Sequence, residues 1–147
     1  MGKREQREQL FKLVFMTEFN EKEEMPEQIA MYFAESQDAS EEEVIKFLSE
    51  KEQETLSVRF EAVMDKLSEI DRQINEKAVG WKTERMGKVE IAILRIAVFE
   101  MLYDETVPES VAINEAVELA KKFGQDESFS FVNGILAKVI VENGLKG

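Results

Sequence analysis

The sequence predicts an all-α protein, and three observations carry that expectation. Only two prolines and seven glycines occur in 147 residues. Apolar residues recur at steps of three and four along most of the chain, and no stretch alternates apolar and polar residues long enough for a strand. A chain of this length forms one domain and buries roughly two-thirds of its unfolded surface, so it stands without disulfides or structural metal.

The first helix is expected from Lys3 to Phe19, with Leu10, Phe11, Val14, Phe15 and Met16 as its apolar stripe and Phe19 and Asn20 closing it. Its polar face opens with Lys3, Arg4 and Arg7. Two readings stand for these cations: a solvated face beside a core stripe, or a start that contacts phosphate. Cations in a first turn oppose the helix dipole and cost roughly a few tenths of a kcal/mol unless an anion offsets them. Beyond an acidic loop, Pro26 takes the first position of a second helix carrying Ile29, Tyr32 and Phe33 and ending near Ser36. Ser40 with Glu43 reads as a capping box opening a third helical region.

From Leu56 the apolar positions are Leu56, Phe60, Val63, Leu67, Ile70 and Ile74. That spacing suits a long helix in a bundle better than a coiled coil, because too few heptads follow. A break is expected within residues 68–75, since an unbroken helix would overrun a small domain. The connector WKTERMGK, Trp81 to Lys88, carries three bases against one acid, with Trp81 as an apolar anchor. Next comes VEIAILRIAVFEMLY, whose apolar residues occupy nearly the whole helix circumference. Such a helix must be surrounded, so it forms the centre of a second helical layer. Each large side chain buried there contributes about 1.5–3 kcal/mol before entropy is subtracted. Glu90, Arg95 and Glu100 interrupt it and are read as peripheral or paired charges.

Two further helices follow Pro108. Val111, Ala112, Glu115, Ala116, Leu119 and Ala120 mark the first, and Gly124 stands where a left-handed C-terminal residue is expected. Asp126 and Ser128 are candidate N-caps for the second, which carries Phe131, Val132, Ile135, Leu136 and Val139. Asn114 and Asn133 sit inside apolar runs and are read as buried helix-to-helix hydrogen bonds in preference to ligand contacts. Gly134 is read as permitting close helix packing. Phe123, Phe129 and Phe131 crowd the turn, which marks that corner as a functional candidate; Phe123 and Phe131 also admit a core reading.

The chain has no cysteine and no histidine. That excludes disulfides, thiolate metal sites and the Ser-His and Cys-His nucleophile pairs. No spacing among the remaining carboxylates, lysines and hydroxyls suggests catalysis, so no catalytic residue, no metal ligand and no cofactor is expected. Neither a signal peptide nor a membrane-spanning run is visible, and Gln6 stands where an N-myristoylation motif needs Ser or Thr. A soluble cytoplasmic protein with no membrane partner is expected. The formal net charge is −12, which opposes generic nucleic-acid binding. The acidity is nevertheless concentrated in residues 18–66, whereas residues 1–17 are net basic. Binding follows the local field within about a Debye length, roughly 8–10 Å, and not the whole-chain charge.

The run Trp81, Arg85, Met86, Gly87, then EIAILRIAVFEML, Pro108, Val111, AINEAVELAKKFG, Ser128, Phe131 and VNGIL resembles the NusB family of bacterial transcription antitermination factors. Arg4, Arg7 and Glu8 followed by Leu10 to Phe15 fit that family's Arg-rich opening helix, although this chain places Glu5 and Gln6 between its arginines. The likeness extends over nearly the whole chain, while residues 20–75 match only in helical character. It implies about seven helices in two small packed bundles within one domain, an N-terminal subdomain of about residues 1–78 and a C-terminal one of about 79–147. It further implies a non-enzymatic role: pairing with the small-subunit ribosomal protein NusE, binding boxA RNA in nascent ribosomal transcripts, and joining the RNA polymerase antitermination complex. Carried over residue by residue, the RNA side comprises Lys3, Arg4, Arg7, Arg85, Lys88, Phe123, Glu127 and Phe131. Relatives occur as monomers or dimers, so a homodimer is compatible. Two other readings stay open. One is the NusB-like RNA-binding domain of a ribosomal RNA methyltransferase, which needs a further catalytic domain; the other is a helical scaffold that binds protein only.

Overall fold

The computed structural model describes residues 2–37, 48–78 and 87–143. Among them the chain forms seven α-helices and one short 3₁₀ turn, with no strand. The helices are α1 (Lys3–Met16), α2 (Met25–Gln37), α3 (Glu50–Asp65), α4 (Leu67–Lys77), α5 (Lys88–Tyr103), α6 (Glu109–Phe123) and α7 (Ser128–Glu142). The all-α expectation holds. By internal packing the chain divides into two compact units, Met1–Glu61 and Ala62–Gly147.

In the first unit α1 buries Leu10, Phe11, Leu13 and Val14. Phe11, Phe15 and Phe19 follow one another along its side, with ring centroids 5.9 and 5.1 Å apart. The helix stops at Met16, short of Phe19. Side chains take its last carbonyls: Thr17 Oγ1 donates to Val14 O at 2.6 Å and Asn20 Nδ2 to Met16 O at 3.0 Å. Met25 opens α2, so Pro26 is its second residue, still inside the first turn where a missing N–H leaves no bond unmade. The Tyr32 hydroxyl donates to Gln9 Oε1 between α2 and α1, and burial, with Glu8 nearby, pushes the phenol up to about 12.

The expected Ser40–Glu43 box lies outside the described residues. A capping box does open α3, formed by Ser49 and Glu52. The Ser49 N–H donates to Glu52 Oε1 at 3.0 Å, and the Glu52 N–H donates to Ser49 Oγ at 3.1 Å. The break after α3 falls at Lys66, just ahead of the window expected for it. Lys66 leaves helical geometry at φ −105°, ψ 8°, and its N–H reaches Val63 O, three residues back.

In the second unit α5 is the hub, packed against α4, α6 and α7. Ile91 to Leu94 and Ile96 to Met101 are all buried, as a helix apolar all round requires. α6 buries Ala112, Ala116, Leu119 and Ala120, and α7 buries Val132, Ile135, Leu136 and Val139. Arg95 on α5 is a paired charge: its Nε and one terminal nitrogen each donate to Asp71 on α4 at 2.9 Å. Arg72 forks on the exposed side of α4 to Glu69 and Glu76, which holds the Glu69 carboxyl at about 2. No helix among the described residues is long and apolar enough to cross a membrane.

Candidate nucleic-acid interface

The start of α5 and the α6–α7 turn enclose a cleft of about 570 Å³, lined by Gly87, Glu90, Gln125, Asp126, Glu127, Ser128 and Phe131. Three of these residues are locked together. The Gln125 N–H donates to Ser128 Oγ at 2.9 Å, and that hydroxyl donates to Glu90 Oε1 at 2.5 Å. Glu90 is the third residue of α5 and folds back over its N-terminus, so that a Cβ on Gly87 would collide with Oε2. A carboxylate at this position offsets the positive end of the helix dipole.

Gly124 ends α6, but not in the left-handed conformation expected of it. Its φ is −95° and its ψ −169°, an extended backbone open to any residue. Proximity explains the glycine instead. An added Cβ would lie 2.6 Å from Ser128 Oγ and 2.7 Å from Ala120 O, too close for either to remain in place. The expected N-caps also differ. Glu127 occupies the cap position of α7 without a side-chain cap bond. Asp126 lies exposed on the cleft wall, while Ser128 is buried and spends its hydroxyl on Gln125 and Glu90.

Among the described residues the lining carries three carboxylates, those of Glu90, Asp126 and Glu127, and no cation. The nearby bases in sequence are Lys88, next to Gly87, and Lys121 and Lys122, in the last turn of α6, where the dipole favours them. Lys121 Nζ stands 5.7 Å from the Phe129 ring centroid and Lys122 Nζ 5.5 Å from that of Phe123, within cation–π range. Phe129 is 41% exposed, and the Phe131 ring is half-buried on the cleft wall. The site therefore offers aromatic faces and hydrogen-bond acceptors, the complement of an unstacked base and its amino edge.

The chain matches the NusB family over residues 4–141. It is 49% identical to the transcription antitermination protein NusB of Lachnoclostridium phytofermentans, over 95% of this chain and 99% of that relative. The chain belongs to the NusB family. Agathobacter rectalis NusB is 45% identical over 90% of this chain and 94% of its own. Among solved structures, Thermotoga maritima NusB superposes with a TM-score of 0.75 at 30% identity, covering 97% of this chain and 92% of that one. A structure of antitermination factors NusB and NusE in complex with dsRNA shares the fold, with a TM-score of 0.69 at 19% identity, over 97% of this chain and 99% of that one.

The structure brings together part of the residue set that the NusB resemblance suggested. Glu127 and Phe131 line the cleft, Phe123 ends α6 just before it, and Lys88 is exposed beside Gly87. Arg85 lies outside the described residues. Lys3, Arg4 and Arg7 belong to the first unit, with Lys3 and Arg4 exposed and Arg7 half-buried. The packing roles expected of three other residues are corrected. Asn114 and Asn133 lie on exposed helix faces, so their amides are open to solvent and no buried helix-to-helix bond is needed. Gly134 is exposed too, and a Cβ there would meet nothing within 4 Å, so no close approach explains it. Glu90 and Gly87 were not foreseen as site residues. Their signal was available only in the Gly-x-x-Glu spacing at the start of α5.

Proposed function

We propose that this chain is a transcription antitermination factor that acts without catalysis. With the ribosomal protein NusE it binds boxA-type single-stranded RNA in nascent ribosomal transcripts and joins the RNA polymerase antitermination complex, which keeps the polymerase moving past terminators. The observation that carries this reading is 49% identity, nearly end to end, with a protein named transcription antitermination protein NusB. The cleft supports it. Phe131 supplies a stacking platform, worth roughly 1–3 kcal/mol per stacked base, and Glu127 supplies an acceptor for a base amino group. Lys3, Arg4, Arg7, Arg85 and Lys88 supply phosphate contacts, and Phe123 supports the aromatic corner. The absence of histidine and cysteine accords with a binding role.

The test is a mobility shift with boxA RNA, this protein and its cognate NusE, with a scrambled RNA as control. A NusE-dependent shift of boxA RNA alone is expected. Phe131→Ala should weaken it by about tenfold, the scale of one lost stack. Equal retention of boxA and scrambled RNA would refute the reading. A Phe131→Ala variant that binds RNA normally but melts earlier would make Phe131 a core residue and leave a protein-only scaffold.

A further inference from the structure

We propose that Glu90 and Ser128 form a positioning pair that sets the aim of Phe131 and Glu127 in the cleft, although neither side chain of the pair needs to touch RNA. The inference rests on the reading of the cleft as the RNA site. Ser128 is the first residue of α7, Glu127 precedes it, and Phe131 lies one turn on. A helix start with no side-chain cap is free to fray or rotate unless something else fixes it.

Ser128 supplies the fixing. Its hydroxyl is buried and used twice, accepting from the Gln125 N–H at 2.9 Å and donating to Glu90 Oε1 at 2.5 Å. The first bond closes the α6–α7 turn, and the second ties that turn to the start of α5. The Glu90 carboxylate lies back over Gly87, so a Cβ added there would meet Oε2 and push the carboxylate from its place. Gly124 likewise leaves the space Ser128 Oγ occupies. Two glycines therefore clear the path for one hydrogen-bonded bridge across the cleft floor. A hydrogen bond to a charged acceptor is stronger and more directional than a neutral one, so this bridge holds orientation as well as distance.

The test separates positioning from folding and from RNA binding. Protein labelled with fluorophenylalanine gives one ¹⁹F resonance per phenylalanine, and a Phe131→Leu variant assigns that of Phe131. Without RNA, Ser128→Ala and Glu90→Ala should each shift and broaden the Phe131 signal. Glu90→Gln, which keeps an acceptor oxygen without its charge, should restore it in part. The double alanine variant should be no worse than either single one, because both remove the same bond. With boxA RNA and NusE, each alanine variant should bind about tenfold more weakly, the scale of one hydrogen bond to a charged group, and Glu90→Gln should fall between Glu90→Ala and the parent. A sharp, unmoved Phe131 signal in Glu90→Ala overturns the proposal. So does parental RNA affinity in both alanine variants. If Ser128→Ala fails to fold, the Glu90→Ala and Glu90→Gln pair decides alone. If the parent itself fails to retain boxA RNA, the functional reading falls, and the ¹⁹F comparison still judges whether the pair sets Phe131.

Discussion

Gly124 and Gly134 sit ten residues apart in one helical hairpin, and replacing each by alanine should move stability in opposite directions. At Gly124 the new methyl would lie 2.7 Å from Ala120 O, a backbone atom of α6 that already accepts the Gly124 N–H at 2.8 Å. It would also press on Ser128 Oγ at 2.6 Å. Neither neighbour is the free end of a flexible chain. Relief requires the carbonyl and the turn to move apart, losing one hydrogen bond worth about 1 kcal/mol and adding overpacking strain of about 1–3 kcal/mol. Alanine's smaller unfolded-state entropy returns about 0.4–1 kcal/mol. The net loss is about 2 kcal/mol, or a fall in Tm of about 4–8 °C for a chain of this size.

At Gly134 the sign reverses. The site is inside α7, a Cβ meets nothing within 4 Å, and the face is exposed. Alanine there gains helix propensity of about 1 kcal/mol, so Tm should rise by about 2–4 °C. Thermal unfolding followed by circular dichroism on the parent and both variants decides the matter. A Gly124→Ala protein as stable as the parent would refute the steric account of that glycine. A destabilised Gly134→Ala protein would refute the open-face account, and would restore a packing role for that residue.

Three other outcomes follow from the same geometry. Arg95→Met should cost about 2 kcal/mol by urea titration, since it strands the Asp71 carboxylate, while Arg95→Met with Asp71→Leu should recover most of the loss. In acid, the backbone hydrogen bond from Ser49 is the largest of several interactions, the charged N-terminus among them, that together depress the Glu52 carboxyl from 4.5 to about 2. The folded state thus binds fewer protons than the unfolded one, so this group's contribution is complete above about pH 4.5 and is lost as pH falls toward 2; Glu52→Gln should flatten the urea midpoint across that window. For RNA, neutralising about three phosphates gives a slope of log K against log salt near −2, and binding should be far tighter with NusE than without it. A flat salt response would remove Lys3, Arg4, Arg7, Arg85 and Lys88 from the interface.

Much of the fold was legible because helical periodicity survives in the linear sequence. The full-circumference run of Val89 to Tyr103 announced a surrounded helix, and α5 is that hub. The break at Lys66 was hidden by the same periodicity, since Val63, Leu67 and Ile70 keep their spacing across it and neither Gly nor Pro marks it. Asn114 and Asn133 misled through their apolar neighbours in sequence. Helical phase was the better guide for Asn133: it stands with Phe129 and Ala137 on the exposed face, opposite Val132, Ile135, Leu136 and Val139. Glu90 looked like an interruption because its partner, Ser128, is 38 residues away. Local patterns mark elements well, but a bond of that span is fixed only by how three helices pack.

The charge of the cleft constrains how affinity is divided. With three carboxylates and no cation among its described lining residues, this part of the cleft repels a phosphate and favours amino groups on base edges, which suits it to selecting bases more than to holding the chain. Attraction to the backbone must then come from basic residues outside the lining, against a net charge of −12. In the proposed complex those residues would act within a Debye length of the RNA, whereas the acidic remainder acts at longer range and is screened by salt. A protein so arranged discriminates better than it attracts. A basic partner that brings the RNA to the cleft would supply what it lacks, so the charge distribution by itself predicts the partner-dependent binding that the proposed role with NusE requires.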